Sequence, residues 1–577
     1  MRLNQKFRDR GALSFLILLA SFAIGSDSVP RAESLPETLT RTRELIGFVK
    51  EQRAQQRAEA QQRRPLLKNI IESEAVAYLQ NNPQALQRAT DELYQEIQAQ
   101  QGNPDPTKHV RLVPPQGKPG YQDLRFYSSH AFKVRRRQIK ASNLVQVWKD
   151  FLAQAKKEIT LNVYEFDLDE VAQTLIEAAQ RGVSVQVGID AKVVHEKPKI
   201  KAIFDRLIAG GVKAVAVNAV KINHQKMAAV DWSDLEDAKV LFSSGNLTQS
   251  CLGPEGDLKD VTPRPARSIP NANHVITMKS WLAANLVHHE LSKTFSEDLR
   301  LRGAQYPTSG SYQITGPNTD PQTLEAYPVG SFILSFTPGG SYRSVNRNLL
   351  ASVIDRSEGP IRLVQFAYSS QGVSEALLRR AIRDYREKGR FDFLSVGDTP
   401  FAMQEWSQFL KMSGLKRIQE TMTTTGSKNE VKEIRFSRFL EDDESPWKQS
   451  LGARDLRDLR RRVRVAPSVY GNSSVAVGGR RYDVSAKIHH KLMMAGDFAV
   501  IGTSFNFSEG AETNNEQVLV FRDPELAQVV KGITEELART SVSSVFEEAQ
   551  RRNRRFSPGQ PIEDDSIGSE DVGELVP

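Results

Sequence analysis

The fold is decided by a repeated stretch whose first copy is ITLNVYEFDLDEVAQTLIEAAQRG, residues 159–182. The second copy is IRLVQFAYSSQGVSEALLRRAIRDYREKG, residues 361–389. Each copy begins with a short apolar run typical of a buried strand and continues with apolar residues at helical spacing. The apolar positions of the two helices match in register, as Val171 and Val373 show. The chain therefore contains an internal duplication.

Each copy leads to a second apolar run that ends in aspartate, VSVQVGID to Asp190 and FDFLSVGD to Asp398. A strand, a helix and a strand in this order form a right-handed crossover unit, which makes the two strands parallel. We therefore predict an α/β protein with two tandem lobes, each a parallel or mixed sheet flanked by helices.

A second repeated feature follows each α/β unit: a histidine and a lysine two residues apart, then a serine and an asparagine two residues apart. Side chains two apart in a strand point to the same face, so each pair projects together. Of the adjacent histidines 489 and 490, this alternation selects His489, the partner of Lys491. The paired residues are His224, Lys226, Ser244 and Asn246 in the first copy and His489, Lys491, Ser504 and Asn506 in the second.

These side chains form a cradle for a tetrahedral anion if they meet on one sheet face. Lysine supplies positive charge, asparagine and serine supply hydrogen bonds, and histidine supplies a nitrogen nucleophile or a proton donor. A single histidine-lysine pair is common by chance. Two copies at matching positions of a duplicated unit indicate a composite active site.

The acidic residue of the motif differs between the copies. Asp231 completes the pattern H-x-K-x4-D in the first copy. The equivalent position of the second copy holds Gly496, and Asp497 comes one residue later, in a predicted hairpin turn. We therefore expect an altered brace in the second half-site, with Glu516 as the orienting residue if Asp497 turns away from His489.

The motifs HQKMAAVD with SSGNLT and HHKLMMAG with GTSFNFS resemble the paired HKD motifs of the phospholipase D superfamily. The resemblance covers roughly residues 121–545 and implies two phospholipase D-like lobes that share one active site. It further implies that one motif histidine attacks phosphorus to give a phosphohistidine, while the other protonates the leaving alcohol and then activates water or an acceptor alcohol. We expect His224 to be the nucleophile and His489 the acid, titrating as a coupled pair with one imidazole neutral and one protonated.

The same resemblance assigns supporting roles. The motif lysines and asparagines would stabilise charge on the phosphoryl oxygens. Members often carry an asparagine and an acidic residue after the Ser-x-Asn strand, here Asn515 and Glu516, whereas the first copy has Asn273 and His274 in the corresponding context. No cofactor and no catalytic metal are expected, because no cysteine or carboxylate cluster at metal-ligand spacing accompanies the other histidines.

The two ends of the chain differ from the duplicated region. A basic start followed by the apolar run GALSFLILLASFAIG is typical of a signal peptide and is shorter than a membrane span of roughly 20 residues. It predicts bacterial-type export to the periplasm or medium, with an uncleaved anchor as the alternative. The predicted regions are 1–25 signal peptide, 26–118 helical segment, 119–305 first repeat, 306–330 linker, 331–545 second repeat and 546–577 disordered tail.

The function predicted from the resemblance is hydrolysis of phospholipid to phosphatidic acid and a head-group alcohol. A metal-independent nuclease is the alternative, because the formal charge of +8 suits either an anionic membrane surface or nucleic acid. A phosphatidyltransferase or an inactive scaffold is less favoured, since both motif pairs are complete and no pair of N-terminal membrane helices is evident. The insert before the second motif, about 399–480, is a natural place for a substrate-shaping loop. The oligomeric state stays open.

Overall fold

Two mixed β-sheets, one in each lobe, form the framework of the protein, as a computed structural model shows. The strands are β1 (Val110–Leu112), β2 (Gln122–Ser128), β3 (Phe132–Val134), β4 (Arg137–Ile139), β5 (Glu158–Val163), β6 (Ser184–Asp190), β7 (Lys213–Val217), β8 (Lys226–Val230), β9 (Lys239–Ser243), β10 (His274–Lys279), β11 (Ser311–Ile314), β12 (Phe332–Thr337), β13 (Ile361–Gln365), β14 (Phe393–Asp398), β15 (Leu415–Met422), β16 (Glu430–Arg438), β17 (Val463–Ala466), β18 (Ser474–Val477), β19 (Arg480–Asp483), β20 (Lys491–Ala495), β21 (Phe498–Ile501), β22 (Glu516–Arg522) and β23 (Ser543–Ser544).

Helices connect the strands and cover the sheets. The α-helices are α1 (Leu144–Ala153), α2 (Asp169–Gln180), α3 (Ala191–Glu196), α4 (Pro198–Ala209), α5 (Gln249–Leu252), α6 (Trp281–Ser296), α7 (Val345–Arg356), α8 (Gln371–Lys388), α9 (Thr399–Ala402), α10 (Gln408–Met412), α11 (Pro446–Ser450), α12 (Ala453–Arg462), α13 (Pro524–Thr540) and α14 (Val545–Arg555). None of the helices in the described parts is long and apolar enough to cross a bilayer.

The structure describes part of the chain. The described residues are 110–112, 120–219, 221–253, 271–296, 311–314, 329–338, 345–422, 430–438, 446–466, 474–477, 480–483, 487–541 and 543–555. All of them belong to the second of the two units into which the chain divides, Ile71–Pro577. The predicted signal peptide and nearly all of the predicted N-terminal helical segment lie outside the described residues.

The two sheets repeat one topology. The first has the order β2-β10-β9-β8-β5-β6-β7, and the second contains the equivalent order β12-β22-β21-β20-β13-β14-β17. In the first sheet β5 is parallel to β6 and antiparallel to β8, and in the second β13 is parallel to β14 and antiparallel to β20. The predicted two α/β lobes with mixed sheets are therefore confirmed, and their equivalent strand orders support the predicted duplication.

Local sequence explains the crossover helices α2 and α8. In α2 the acidic residues Asp169 and Glu170 occupy the first turn, where the helix dipole favours negative charge. In α8 the Ser370 hydroxyl accepts a hydrogen bond from the backbone N–H of Val373, and Gly389 ends the helix in the left-handed conformation. Both helices pack one apolar face on their sheet, which fixes the strand ends that carry the site.

Three large apolar cores hold the lobes together. One lies on the outer face of the first sheet under α1, α2 and α4. A second lies on the outer face of the second sheet under α7, α8 and α12. The third takes residues from both sheets and from α6 and α13, so these two helices pack in the same core between the lobes. Because the third core contains residues of both lobes, it holds them together and allows a site between them to be rigid.

Several predicted boundaries are wrong. The predicted linker contains β11, which joins β12 in the second sheet, and the predicted helical segment contains β1, which extends the same edge. Helix α14 covers the start of the predicted disordered tail, and the rest of that tail lies outside the described residues. The insert of the second repeat holds α9, α10 and a hairpin of β15 and β16 before β17. These strands pair at sheet edges or within a local hairpin, and no repeat partner marked them in the sequence.

Candidate active site

The lobes meet where the two histidine-lysine motifs begin. Asn223 pairs in a short parallel bridge with Asn515 of the second lobe, and Ile488 pairs in the same way with Ala272 of the first. The backbone N–H of Asn515 donates to Ile222 at 3.0 Å, and that of His489 donates to Ala272 at 3.0 Å. Each motif is thus anchored to the opposite lobe, and both histidines reach one junction.

His224 is braced by a carboxylate of the second lobe. Its Nδ1 lies 2.8 Å from Oε2 of Glu516, the first residue of β22. A carboxylate at Nδ1 favours the tautomer that leaves Nε2 without a proton. The His224 side chain is 12% exposed and that of Glu516 only 1%. Burial lowers the pKa of His224, while Glu516 acts in the opposite direction.

His489 is braced by an amide of the first lobe. Its Nδ1 lies 2.9 Å from Oδ1 of Asn273, whose Nδ2 donates to the carbonyl of Cys251 at 2.7 Å. This second bond fixes the amide orientation, so His489 donates from Nδ1 and directs Nε2 to the junction. Burial, with help from Lys491 and Lys226, holds the pKa of His489 well below its usual value.

The equivalence of these braces corrects the pairing predicted from the sequence. The backbone N–H of His274 donates to Ser244 Oγ at 2.9 Å, as that of Gln517 donates to Ser504 Oγ at 2.8 Å. His274 therefore matches Gln517, and the residue before it, Asn273, matches Glu516. The sequence comparison was wrong by one residue, because the inserted segment before Asn273 removes the local register. Glu516 orients His224 and not His489.

Both motif lysines are fully buried at the starts of β8 and β20. Lys226 Nζ donates to the His224 carbonyl at 2.6 Å, and Lys491 Nζ donates to the His489 carbonyl at 3.1 Å. Burial lowers the pKa of Lys226 to about 8 and that of Lys491 well below its usual value. Two buried ammonium groups are costly unless an anion joins them, so this junction favours an anionic ligand.

The Ser-x-Asn residues divide into two roles. Ser244 Oγ donates to Asn273 Oδ1 and Ser504 Oγ donates to Gln517 Oε1, each at 2.8 Å. These hydroxyls position the next strand, which is the supporting role and not the phosphate-binding role of the two predicted for them. Asn246 and Asn506 are buried, and each keeps a side-chain oxygen without a hydrogen-bond partner among the described residues. These oxygens can accept a hydrogen bond from a ligand, whereas only the Nδ2 groups of the asparagines can donate to a phosphoryl oxygen.

Asp231 lies outside the junction, contrary to its predicted place among the catalytic residues. Its carboxylate accepts the backbone N–H groups of Lys156, Lys157 and Glu158 at 2.7–3.2 Å, at the far end of β8. Its backbone has a φ of 49°, a left-handed conformation that aspartate tolerates better than most residues. Asp231 therefore stabilises the turn into β5.

Gly496 and Asp497 explain the altered second motif. Gly496 N donates to Pro360, as Asp231 N donates to Glu158, so the two positions correspond. Pro360 has no N–H that could donate to a carboxylate at position 496. In addition, a Cβ on Gly496 would lie 2.0 Å from the carbonyl oxygen of Glu358. Asp497 pairs with Arg522 Nε at 2.8 Å and does not contact His489.

Two supporting aspartates, Asp190 and Asp398, were not assigned a role from the sequence. Oδ2 of Asp190 accepts the N–H of Asn223 at 2.7 Å, and Oδ2 of Asp398 accepts the N–H of Ile488 at 2.8 Å. The aspartates that end β6 and β14 thus hold the residue before each motif histidine. Their identical position in both repeats was the available signal.

Aromatic rings contact the two histidines. The Tyr164 ring lies 5.5 Å from the His224 ring, and the Phe366 ring lies 4.6 Å from the His489 ring. The next residue differs: Glu165 pairs with Lys197 at 2.6 Å in the first lobe, whereas the second lobe has Ala367. The first lobe therefore has an ion pair next to its aromatic ring where the second lobe has an alanine.

A chain of buried imidazoles lies behind the second motif. His490 Nδ1 is 2.9 Å from His274 Nδ1, and His490 Nε2 is 3.4 Å from His130 Nδ1. The equivalent positions of the other half hold Gln225 and Gln517. His490 therefore points away from the junction, as predicted. Among the described residues no group of three or more His, Cys, Asp or Glu is arranged to hold a metal ion.

One family model matches part of the first lobe. Residues 148–259 match the family model described as "Cardiolipin synthase, PLD-like domain". The matched segment contains His224, Lys226 and Asn246, and no curated protein matches the chain. The chain thus contains a phospholipase D-like domain, and the superfamily predicted from its motifs is confirmed. A domain of this kind supports an activity on phosphodiesters.

Solved structures resemble the chain at low identity. A phosphatidylserine synthase from Haemophilus influenzae is 13% identical, with 76% of this chain and 94% of that chain covered and a TM-score of 0.41. Nuc, a phospholipase D family member from Salmonella typhimurium, is 17% identical over 30% of this chain and 93% of that chain, with a TM-score of 0.23. A polyphosphate kinase from Porphyromonas gingivalis is 12% identical over 72% of this chain and 50% of that chain, with a TM-score of 0.38.

Proposed function

We propose that this protein hydrolyses phosphodiester bonds in phospholipids through a phosphohistidine formed on His224. The observation that carries the proposal is the reciprocal bracing of the histidines, in which Glu516 and Asn273 each hold the Nδ1 of the other lobe's histidine. Both Nε2 atoms are then directed to a junction that contains two buried lysines. An inactive scaffold would not need this arrangement.

In the first step Nε2 of His224 attacks phosphorus as the bond to the leaving oxygen breaks. The N–P bond places positive charge on the imidazole, which the Glu516 carboxylate stabilises. His489 donates its Nε2 proton to the leaving oxygen. The negative charge of the bound diester offsets Lys226 and Lys491, which otherwise disfavour protonated His489.

In the second step water attacks phosphorus on the intermediate. His489 takes a proton from this water, the N–P bond breaks, and its electron pair returns to His224. Lys226, Lys491, Asn246 and Asn506 stabilise charge on the non-bridging oxygens in both steps. An alcohol in place of water would give transfer rather than hydrolysis, which is how a phosphatidyltransferase differs.

The phospholipid substrate and export rest on the sequence. The apolar N-terminal run supports export, and the family description that matches the first lobe refers to a lipid-synthesising enzyme. A nuclease with the same histidine chemistry is the competing function, because the net positive charge suits nucleic acid as well.

The test is to incubate purified protein, in EDTA, with phospholipid vesicles and separately with single- and double-stranded DNA. His224→Ala and His489→Ala are run in parallel, with products followed by phosphate-ester analysis. We expect phosphatidic acid from wild type and a loss of at least about 10³-fold in either variant. His489→Ala denatured at alkaline pH, where the N–P bond of a phosphohistidine is stable, should retain label from phosphate-labelled substrate on His224.

Each alternative has its own result. Cleavage of DNA but not lipid would replace the phospholipid substrate with nucleic acid. Complete loss of activity in EDTA would contradict the metal-free mechanism. Full activity of His224→Ala would contradict a phosphohistidine on His224. Formation of phosphatidylethanol in added ethanol would identify a transferase activity.

A further inference from the structure

A carboxylate that the two-histidine mechanism does not use contacts one of the junction asparagines. Glu165 Oε2 accepts a hydrogen bond from Asn246 Nδ2 at 3.3 Å. Asn246 Oδ1 has no hydrogen-bond partner among the described residues, so the contact with Glu165 is what orients the amide. Nδ2 carries two hydrogens, and the one that does not go to Glu165 remains for a phosphoryl oxygen.

The backbone that brings this carboxylate and this amide together is the same in both lobes. The residues that follow them, Phe166 and Leu247, pair in a short parallel bridge. The second lobe repeats the bridge with Tyr368 and Phe507. The position equivalent to the carboxylate is Ala367, which has no group that could hold an asparagine. The contact is therefore a property of the first half-site and not of the duplicated fold.

The carboxylate is paired with a lysine from the corner between α3 and α4. Lys197 Nζ lies 2.6 Å from Glu165 Oε1. The backbone N–H of Lys197 donates to the carbonyl of Val193 at 2.9 Å, in helix α3. Oδ1 of Asp190 accepts the N–H groups at the start of that helix, while its Oδ2 accepts the N–H of Asn223 beside the first motif. One carboxylate thus positions both the first motif and the helix that ends at this lysine.

The ion pair matters for the charge of the junction more than for stability. The Lys197 side chain is 36% exposed and that of Glu165 17%, and an ion pair with this exposure stabilises a protein by about 0–1 kcal/mol. The charge of Glu165 reaches the anion site: burial lowers the pKa of Lys226, and Glu165 is among the groups that act in the opposite direction. Without its lysine, this carboxylate would repel a bound phosphodiester.

We propose that Glu165 is a positioning residue for the phosphoryl group, which holds the Asn246 amide so that Nδ2 donates to a non-bridging oxygen, while Lys197 offsets the charge of the carboxylate. The inference rests on the proposed function, in which Asn246 stabilises charge on the phosphoryl oxygens. The pair acts on the phosphoryl group itself, so the inference holds for lipid and nucleic-acid diesters alike.

The kinetic test uses bis(4-nitrophenyl) phosphate, a diester that belongs to neither substrate class. Lys197→Met leaves an uncompensated carboxylate and should raise KM by about tenfold with kcat within about threefold, because the repulsion acts on ground state and transition state alike. Glu165→Gln keeps an acceptor for Asn246 and should remain within about threefold of wild type in kcat/KM, whereas Glu165→Ala should lose about tenfold. Adding Lys197→Met to Glu165→Gln should then change KM less than about twofold.

A neighbouring ion pair supplies the matched control. Lys199 Nζ lies 3.6 Å from Oδ2 of Asp167, two residues along from each member of the first pair. Asp167 accepts the backbone N–H of Gln249 and does not contact the junction asparagine. Lys199→Met should therefore remain within about twofold of wild type in both kcat and KM. A loss equal to that of Lys197→Met in folded protein would overturn the inference, and so would a double variant as impaired as Lys197→Met alone.

Direct binding separates the inference from the proposed function. Inorganic phosphate should bind inactive His224→Ala in calorimetry, and adding Lys197→Met should weaken that binding by about tenfold, whereas adding Lys199→Met should not. Unchanged binding, or no binding of phosphate to either protein, would overturn the positioning pair. The expected pattern of phosphate binding without cleavage of any diester by wild type would support the pair while removing the proposed hydrolysis.

Discussion

The two motif histidines differ in one partner, a carboxylate for His224 and an amide for His489. A carboxylate stabilises the positive charge that nucleophilic attack places on an imidazole, whereas an amide oxygen only orients the ring. This difference supports His224 as the nucleophile. The rest of each half-site is nearly the same. The different roles of the two histidines therefore depend on Glu516 in one half-site and Asn273 in the other.

Replacing Glu516 with glutamine should lower kcat by roughly 10²–10⁴-fold, because the amide keeps the shape and loses the charge. Asn273→Ala should lower kcat less than Glu516→Gln does, since His489 then loses its orienting partner but the site loses no negative charge. Steady-state hydrolysis of the cleaved phosphodiester measures both. Asp497→Asn is the matched control, and it should remain within twofold of wild type because Asp497 pairs with Arg522. A loss in that control equal to the loss in Glu516→Gln would contradict the assignment.

Asp231 should affect stability rather than chemistry. Asp231→Ala leaves three backbone N–H groups without their carboxylate partner and should destabilise the folded state by about 2–3 kcal/mol. Denaturant unfolding measures this loss, and kcat at a temperature where the variant is folded should change less than about threefold. A drop in kcat comparable to that of His224→Ala, in folded protein, would return Asp231 to the catalytic set.

At the level of elements, the turns that follow β8 and β20 determine whether an acidic side chain can accept backbone hydrogen bonds at that point. The Gly496 turn has a φ of 60° and lies against the Glu358 carbonyl. Gly496→Ala should therefore cost at least about 2 kcal/mol of folding free energy, measured by thermal or denaturant unfolding. Gly452→Ala is the control, because nothing lies within 4 Å of the added Cβ. An equal effect of the two changes would contradict this explanation.

The sequence predicted the elements that repeat and missed those that do not. Period-two and helical patterns in the two copies were sufficient for β5, β13 and the crossover helices. Strand β1 lies at the edge of the second sheet and pairs with β11, which in turn pairs with β12, and no local pattern marks either short strand. Asn273 was identified but paired with the wrong equivalent, because an insertion precedes it. The brace across the lobes is a long-range contact, which a single sequence cannot reveal.

For the molecule as a whole, the buried imidazoles predict a loss of stability in acid. Burial lowers the pKa of His130 to about 4 and holds the pKa values of His274 and His490 well below the usual range. Lys491 adds positive charge beside the latter two, while Glu536 acts on His130 in the opposite direction. Stability is therefore full above pH about 6.5, the unfolded value, and falls as pH drops towards the folded values.

Each histidine that stays neutral in the folded state lowers the free energy of unfolding by about 1.4 kcal/mol for each pH unit between about 6.5 and its folded pKa. The double change His274→Gln with His490→Gln copies Gln517 and Gln225 of the other half, and it should make the slope of unfolding free energy between pH 6.5 and 5 shallower. Unfolding in urea at several pH values measures the slope. An unchanged slope in a folded double variant would show that this pair is not the source.

Because the partner of His224 lies 292 residues further along the chain, synthesis of the protein has a defined order of events. When the ribosome has made the first motif, its histidine still lacks the carboxylate and the neighbouring lysine that only the second repeat supplies. On the proposed mechanism a half-made chain is inert, and the chemistry requires that translation has passed Glu516 and that the halves have docked. A site shared between two repeats thus makes the proposed activity depend on the completion of both.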